Sequence, residues 1–287
     1  MPSIINTNLG SLNAQRNTSA SQSSLAVSMQ RLSSGLRVNS SKDDAAGLSI
    51  AERMSTQVRG MNVAIRNAND GISLAQTAEG ALGKVTDALQ RMRELGVQAR
   101  NATNTTDDKT SIDKEFGELS KEIQRVLGGT TFNGKAVLAS DAGTQTFQVG
   151  ANTTANDTVD VMTTNLTANT DITAIAGTDH AGLGRASLID TPDNIALVIN
   201  KIDTALTAVS GERSTLGAAQ NRFDAVTSNL MIAVENQSAA RSRIMDADYA
   251  TETANLSRSQ ILQQAGMAMI SQANQMPQQV LTLLRGG

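Results

Sequence analysis

The sequence predicts a mainly α-helical fold, a long antiparallel coiled-coil-like bundle with a small β-hairpin region in the middle of the chain. Apolar residues recur at steps of three and four through long stretches of both halves, which is the spacing of one helical face. Only 2% of the residues are aromatic although 39% are hydrophobic. The core must therefore be built from aliphatic residues and Met, and that composition suits long helices packed side by side.

A first helix is predicted near the amino terminus. An apolar stripe with helical spacing is formed by Leu25, Met29, Leu32 and Leu36. Gly35 supplies a carboxy-terminal stop for this helix, because glycine readily adopts the left-handed conformation found there. The residues that follow, 41–44, read as a capping box before the next helix.

That next helix has the strongest periodicity in the chain. Its apolar seam alternates steps of four and three through Met54, Val58, Met61, Ile65, Ala68, Ile72 and Ala75, and Leu82, Leu89 and Met92 continue the same seam. Sustained spacing of this kind indicates a coiled-coil-like contact with a partner helix. If the helix runs without a break from Ala45 to Arg100, it is about 80 Å long at 1.5 Å per residue.

The middle of the chain changes character twice. A shorter helix is predicted from about Thr106 to Gly129, with an apolar seam at Ile112, Phe116, Leu119, Ile123 and Val126. Asn133-Gly134 then predicts a β-hairpin turn, and the alternation of Phe147 with Val149 and of Val159 with Val161 predicts half-buried strands. Thr, Asn, Ala, Asp and Gly dominate residues 139–190, so this segment is expected to be exposed and to contribute few core residues.

Helix returns in the last third of the chain. Thr191-Pro192 places a capping residue before Pro at the first helical position. A seam in continuous register follows at Ile195, Ile199, Ile202, Leu206, Val209, Leu216, Phe223, Leu230, Val234 and Ile244. The final segment, from Asp246, is rich in Gln, Ala, Ser and Met. Both terminal segments lack an internal partner except each other, and short isolated helices are marginal in water, so we expect them to order on assembly.

The residues predict no catalytic site, no metal site and no cofactor. The chain has no Cys and a single His, His180, so a Cys-dependent site and a metal cluster of several His are excluded. His180 lies in a run that is interpreted as a polar loop, so no Ser–His–Asp triad is assigned. The acidic pairs Asp43-Asp44 and Asp107-Asp108 are interpreted as helix caps, which the helix dipole favours. An enzyme that uses only carboxylates is a distant possibility, because no paired acids form a recognisable pocket pattern.

Charge and hydropathy limit the partners. The formal net charge is −3 and the basic residues are scattered, so no nucleic-acid partner is expected. No run of 18 apolar residues occurs, so no transmembrane helix and no membrane partner are expected. The first residues have neither a basic nor an apolar region typical of a cleaved signal peptide. The absence of Cys fits a protein that works outside the cell without disulfides.

Several motifs give the chain a specific resemblance to bacterial flagellins. In the amino-terminal half these are QRLSSGLRVN (30–39), KDDAAG (42–47) and RNANDGISLAQTAEGAL (66–82). In the carboxy-terminal half they are AQNRF (219–223), SRIMDADYA (242–250) and QILQQAG (260–266). The resemblance covers roughly the first 150 and the last 100 residues, in the order that the family has. It implies a short flagellin with a reduced central region.

The resemblance implies a structural, non-enzymatic protein that polymerises into the filament used for swimming motility. It assigns residues 1–44 and 245–287 to an inner filament-core domain, 45–138 and 191–244 to the halves of a helical shell domain, and 139–190 to a short exposed variable region. Family members leave the cell unprocessed through the flagellar export apparatus, so a secreted, extracellular protein is implied. The residues expected to drive polymerisation are Leu25, Met29, Leu32, Leu36, Leu262, Met269, Leu281 and Leu284.

The resemblance also implies partners. The first is the chain itself, and others are the flagellar export chaperone and the cap and hook-junction proteins. Arg91, Leu95 and Glu115 match the positions read by the host Toll-like receptor that senses flagellin. The carboxy-terminal Leu281, Leu283 and Leu284 match a segment sensed by cytosolic host receptors. Two alternatives stay open, namely a hook–filament junction adaptor of the same family and a secreted coiled-coil protein that does not polymerise.

Overall fold

The computed structural model describes residues 7–285, with side chains described for residues 7–275. Its helices are α1 (Leu9–Ser34), α2 (Ala45–Ala99), α3 (Thr106–Gly129), α4 (Thr170–Ala176), α5 (Pro192–Met245) and α6 (Tyr249–Arg285). Its strands are β1 (Thr131–Phe132), β2 (Lys135–Ala136), β3 (Thr144–Gln148) and β4 (Thr158–Met162). The predicted class, a helical bundle with a small β region in the middle of the chain, is confirmed.

Capping side chains explain where α1 begins and ends. The Asn8 side chain accepts the Ser11 N–H at 3.1 Å at the start, and Gly35 ends the helix in the left-handed conformation with φ 71°. The stop predicted at Gly35 is confirmed. The placement of Leu36 on the same helical stripe is wrong, because the chain has already left the helix and Leu36 pairs with Asp246 in an antiparallel bridge.

The start of α2 differs from the predicted capping box. Asp44 Oδ1 accepts the Gly47 N–H at 2.8 Å and so caps the helix. The Asp43 carboxylate instead accepts the backbone N–H groups of Asn39 and Ser40, at 3.0 and 2.9 Å, and closes the turn before it. α2 runs without a break over Ala45–Ala99, so the condition for a helix of about 80 Å is met to within one residue.

The next elements follow the local signals. α3 opens with a reciprocal capping box between Thr105 and Asp108. The β1–β2 turn places Asn133 and Gly134 at φ 50° and 80°, the left-handed pair that a two-residue hairpin of this type requires. β3 and β4 pair antiparallel with Phe147 opposite Val159, so the predicted strands are confirmed.

The chain forms two compact units. One comprises residues 57–234, and the other comprises 1–56 together with 235–287. The first unit contains the hydrophobic core, to which α2, α3 and α5 contribute seams of fully buried residues. Among its largest buried side chains are Leu82, Leu89, Met92, Leu95, Phe116, Ile123, Leu127 and Phe223.

The segment 139–190 is better packed than its composition predicts. Its buried apolar residues include Val149, Val159, Val161, Leu166, Ile172, Ile175 and Leu188, all of which belong to the main core. The expectation of few core residues here is therefore wrong. Val159, Leu166 and Ile172 each stand between two polar residues, so the segment has the composition of a surface although a side chain enters the core every few residues.

Within the described part of the chain, every helix is too short or too polar to cross a bilayer.

The paired terminal helices as a candidate assembly surface

The terminal helices α1 and α6 pack against each other along their length in an antiparallel pair. Asn8 Nδ2 donates to the Ala273 carbonyl at one end, at 2.6 Å. At the other end Ser28 Oγ donates to Glu252 Oε1, also at 2.6 Å. Each terminal segment is thus the partner of the other, as the sequence suggested.

Small and polar residues fill the seam between the two helices. On α1 the buried and half-buried positions alternate steps of three and four at Ser11, Ala14, Thr18, Ser21, Leu25, Ser28 and Leu32. On α6 the matching positions are Glu252, Leu256, Ser259, Gln263, Gly266, Ile270 and Ala273. This alternation is the heptad spacing of a coiled coil, but the side chains that it buries are mostly small.

The helices approach closely as a result. A Cβ at Gly266 would overlap the Thr18 hydroxyl, so glycine is needed there for the two backbones to come together. Beside the Ser28–Glu252 bond, Arg31 Nη1 lies 3.7 Å from Glu252 Oε2. Glu252 is only 7% exposed, and its charge is therefore matched by both a hydroxyl donor and a cation.

Large apolar side chains point away from this seam. We call the exposed set the outer face, and it comprises Leu9, Leu12, Val27 and Met29 on α1 and Ile261, Leu262, Met267 and Met269 on α6. All eight are at least 40% exposed. An ordinary amphipathic hairpin places its large apolar residues inside, whereas this pair buries mostly small residues and leaves these eight large ones exposed. Large apolar side chains left exposed in this number are typical of an interaction site.

The residues predicted to drive polymerisation fall into three groups. Met29, Leu262 and Met269 lie on the outer face, at 57%, 51% and 63% exposure. Leu25, Leu32 and Leu36 are half buried, the first two in the seam between α1 and α6. Leu281 and Leu284, like Leu283, lie outside the residues whose side chains are described.

Sequence reasoning missed five of the eight residues of this surface. These five do not continue the stripe through Leu25 and Leu32, and they are Leu9, Leu12, Val27, Ile261 and Met267. The sequence does contain a signal for these residues. A helix with Ser, Thr and Ala on one face and large apolar residues elsewhere has two candidate interfaces. The small residues allow a closely packed partner helix, and the large residues can contact a second partner.

The connectors beyond α1 and before α6 are joined by backbone hydrogen bonds. The Ala247 N–H donates to the Gly35 carbonyl at 2.9 Å, and the Arg37 N–H donates to the Met245 carbonyl at 2.6 Å. The Arg37 guanidinium adds a bond to the Ile244 carbonyl at 2.7 Å. These hydrogen bonds join the segment that follows α1 to the segment where α5 passes into α6.

Two of the three residues that match the receptor-sensed positions lie together on the surface. Arg91 on α2 donates to Glu115 on α3 at 2.8 Å and to Glu94 at 2.9 Å. The hydrogen bonds that Arg91 donates to the carboxylates of Glu94 and Glu115 raise the pKa of Arg91 above its ordinary value. Leu95 is instead 1% exposed and belongs to the core. The accessible feature is therefore the ion pair of Arg91 with Glu115.

The groups first considered for catalysis have structural roles. Asp44 and Asp108 cap helices, and the hydrogen bonds from Thr105 lower the pKa of Asp108. His180 lies in the segment between α4 and α5, beside Gly128. Across residues 7–285, no three His, Cys, Asp or Glu side chains are grouped to hold a metal ion.

Comparison with known proteins identifies the family. The model of the bacterial flagellin N-terminal helical region matches residues 5–146, and that of the C-terminal helical region matches residues 199–284. Flagellin of Halalkalibacterium halodurans is 46% identical, covering 98% of this chain and 100% of the relative. Flagellin FlaB2 of Treponema pallidum is 39% identical over the same shares.

A solved structure of a putative flagellar hook-associated protein from Vibrio parahaemolyticus is also similar in fold. It is 14% identical, with a TM-score of 0.59, and the match covers 71% of this chain and 100% of that one. At this identity the likeness extends to the fold alone. The two family models and the full-length relatives, by contrast, share sequence at both ends of the chain, and on that ground the chain belongs to the bacterial flagellin family.

Proposed function

We propose that the chain polymerises into the bacterial flagellar filament by burying the outer face of α1 and α6 against neighbouring copies. A flagellin is the structural subunit of that filament, and family membership carries this role to the chain. The observation that supports the mechanism is that eight large apolar side chains of the terminal pair stay exposed.

Energetics favour assembly by this surface. Full burial of one Leu, Ile or Met side chain contributes about 1.5–3 kcal/mol. The eight outer-face residues are 40–66% exposed, so each has about half of that contribution left to gain, and together they provide about 6–12 kcal/mol against the entropy lost when two subunits associate. Because the seam between α1 and α6 is already closed by small residues, a second copy has access to the large ones without opening the pair.

Other roles are not favoured. A hook–filament junction adaptor or a non-polymerising secreted protein does not account for relatives named flagellin that match nearly the whole chain. These relatives are structural proteins, which supports a non-enzymatic role. The filament is an extracellular structure, and we propose that the chain reaches it by the flagellar export route, with the export chaperone and the cap and hook-junction proteins as partners.

We also propose the domain division that the family resemblance implies. Residues 1–44 and 245–287 form the inner filament-core domain, 45–138 and 191–244 the helical shell domain, and 139–190 the outward-facing region. The boundaries at 44 and 245 fall beside the capping turn of α2 and the last residue of α5, which supports them as the places where the inner domain begins and ends.

Two polar substitutions on the outer face test the polymerisation surface. We expect the double variant Leu262→Asp/Met269→Asp to remain helical but to stop elongating from filament seeds, because two carboxylates cannot be buried unpaired at an interface. Seeded growth is followed by electron microscopy. Leu183→Asp is the matched control, since Leu183 is 70% exposed but lies outside the terminal helices. Normal filaments from the double variant would disprove the proposed surface.

A second proposed function is recognition by the host Toll-like receptor that senses flagellin. The observation that favours it is the exposed pairing of Arg91 with Glu115, two of the three positions matched in the family. We propose that Leu95 acts from the core by holding this part of α2 in place.

Arg91→Ala tests this function. We expect the variant monomer to activate a receptor-reporter cell line about tenfold less, the scale of a lost interfacial charge contact. Arg125→Ala is the control, because Arg125 forms a similar exposed pair with Glu122 on α3. Equal activation by both variants and by the unaltered chain would rule out the Arg91 site. Recognition of Leu281, Leu283 and Leu284 by the cytosolic host receptors stays a prediction.

A further inference from the structure

We propose that the exposed methionines of the terminal helices, Met29, Met267 and Met269, are oxidation-sensitive positions and that conversion of their thioethers to sulfoxides switches assembly off. The inference rests on the proposed function, since it assigns a regulation to the same outer face. It concerns a chemical modification, with a peroxide as the co-reactant, and it follows from where the sulfur atoms of this chain lie.

Methionine supplies all of the sulfur in this protein. The chain has 11 Met and no Cys, so thioether oxidation is the only sulfur-based redox chemistry open to it. The methionines of the outer face are exposed, at 57% for Met29, 59% for Met267 and 63% for Met269. In the folded core, Met92 is fully buried and Met61 is 9% exposed. A solvent-borne oxidant therefore meets the assembly surface before it meets the core.

The reaction is balanced with hydrogen peroxide alone. A sulfur lone pair attacks one peroxide oxygen, the O–O bond breaks, and an S–O bond forms. The departing hydroxide takes the proton from the oxygen that is now bound to sulfur, which gives water and leaves the sulfoxide. The thioether loses two electrons and becomes a sulfoxide, while the peroxide gains them. The product is a polar and chiral side chain in place of a flexible apolar one.

This change opposes burial at an interface. An exposed sulfoxide in the monomer is hydrated and costs nothing, because Met267 and Met269 do not contribute to the small-residue seam of α1 and α6. On assembly the same group must lose its water, and a buried polar oxygen without a partner is unfavourable. The modification thus leaves the subunit folded and acts selectively on subunit addition.

Met162 provides an internal reference. It is 65% exposed, as accessible as Met269, but it lies on β4 and outside the outer face. Peroxide should oxidise Met162 and the outer-face methionines at comparable rates in the monomer. Only oxidation on the outer face should affect assembly.

The experiment treats monomer with hydrogen peroxide, quantifies sulfoxide at each Met by mass spectrometry, and measures elongation from untreated seeds by light scattering. We expect sulfoxide at Met29, Met162, Met267 and Met269 but not at Met92, with elongation slowed about tenfold or more, the scale of one unpaired buried polar group. Methionine sulfoxide reductases should restore the rate. Unchanged elongation by the oxidised chain would overturn the proposal.

Variants identify the responsible sulfur atoms. Met29→Leu/Met267→Leu/Met269→Leu keeps the apolar volume and should elongate at the same rate before and after peroxide. Met162→Leu/Met231→Leu, which changes exposed methionines outside the terminal helices, should stay as sensitive as the unaltered chain. Loss of elongation by the triple variant after peroxide would place the effect elsewhere and overturn the proposal.

A footprint in the filament gives a test without substitutions. If Met267 and Met269 are buried between copies, they should oxidise about tenfold more slowly in filaments than in monomers. Equal oxidation rates in filaments and in monomers would overturn the proposal. Failure of the proposed function has a different signature, because untreated monomer would then fail to elongate at all.

Discussion

At the scale of single residues, the best-defined polar site outside the terminal helices is the carboxylate of Asp113 on α3. It accepts hydrogen bonds from the Arg185 guanidinium at 2.5 and 3.1 Å and from the Ser187 hydroxyl at 3.1 Å. The Leu188 N–H adds another at 2.7 Å. These bonds fasten the segment before α5 to α3 and hold Leu188 in the core.

The charge of Asp113 is stabilised by this arrangement. Burial raises the pKa of the carboxyl, but the hydrogen bonds from Arg185 and the Leu188 N–H outweigh burial and lower the pKa below its ordinary value of 3.8. A depressed folded-state pKa contributes stability that is complete above the unfolded value and is lost as the pH falls through the folded one. The contribution is therefore full at neutral pH and fades below pH 3.8.

Asp113→Ala should lower the free energy of unfolding by about 2–3 kcal/mol at pH 7, because it leaves Arg185 and a buried N–H without their acceptor. The difference from the unaltered chain should shrink in acid, as protonation of Asp113 removes the same interaction. Urea unfolding of both chains at several pH values measures it. Asp87→Ala is the control, since its pair with Lys84 is exposed, and it should change stability little. A pH-independent loss would exclude the charge as the cause.

Sequence reasoning did not find this site, although α3 carries a signal for it. A polar row at steps of four, three and four runs beside the apolar seam through Asp113, Gly117, Ser120 and Gln124. Ser120 and Gln124 donate to the carbonyls of Ala176 and Gly177 at the end of α4. Gly117 leaves room for the Arg185 guanidinium. From sequence alone, a polar row along a helix is interpreted as a solvent-exposed face, because the segment of the chain that covers it is not known.

At the scale of elements, the long helices were predictable because their signals are local and repeated. The seam of α2 is sustained from Met61 to Met92, and its period alone identifies the buried face. The boundaries of the helices and of the first hairpin are then set by the caps at Thr105 and Gly35 and by the turn at Asn133-Gly134. Each of these signals involves residues within a few positions of each other, so it can be recognised in a single sequence.

The face of α1 that turns inward was not predictable in the same way. Leu32 lies in the seam with α6, whereas Leu12 and Val27 stay exposed, so hydrophobicity alone does not identify the buried face. Thr18 is buried as well, and its place depends on α6, where Gly266 accepts the close approach of its hydroxyl.

At the scale of the whole molecule, the main hydrophobic core and the proposed assembly surface lie in different units. Every member of the main hydrophobic core lies between Ala68 and Phe223, inside the unit formed by residues 57–234. The outer face lies in the unit formed by the two ends of the chain. A subunit built in this way can keep its bundle folded while its ends respond to the presence of other copies.

A shortened chain tests this separation. Residues 45–245 retain α2 to α5 in full and lose α1, α6 and the bridge between Leu36 and Asp246. Because the buried core is kept, we expect cooperative thermal unfolding within a few degrees of the full chain's main transition, the shift that about 1 kcal/mol produces in a domain of this size. Because the outer face is gone, seeded elongation should be absent. Calorimetry and electron microscopy measure the two outcomes separately. A fall in the transition of more than about 10 °C would show that the ends stabilise the bundle, and filaments grown from the shortened chain would move assembly to another surface.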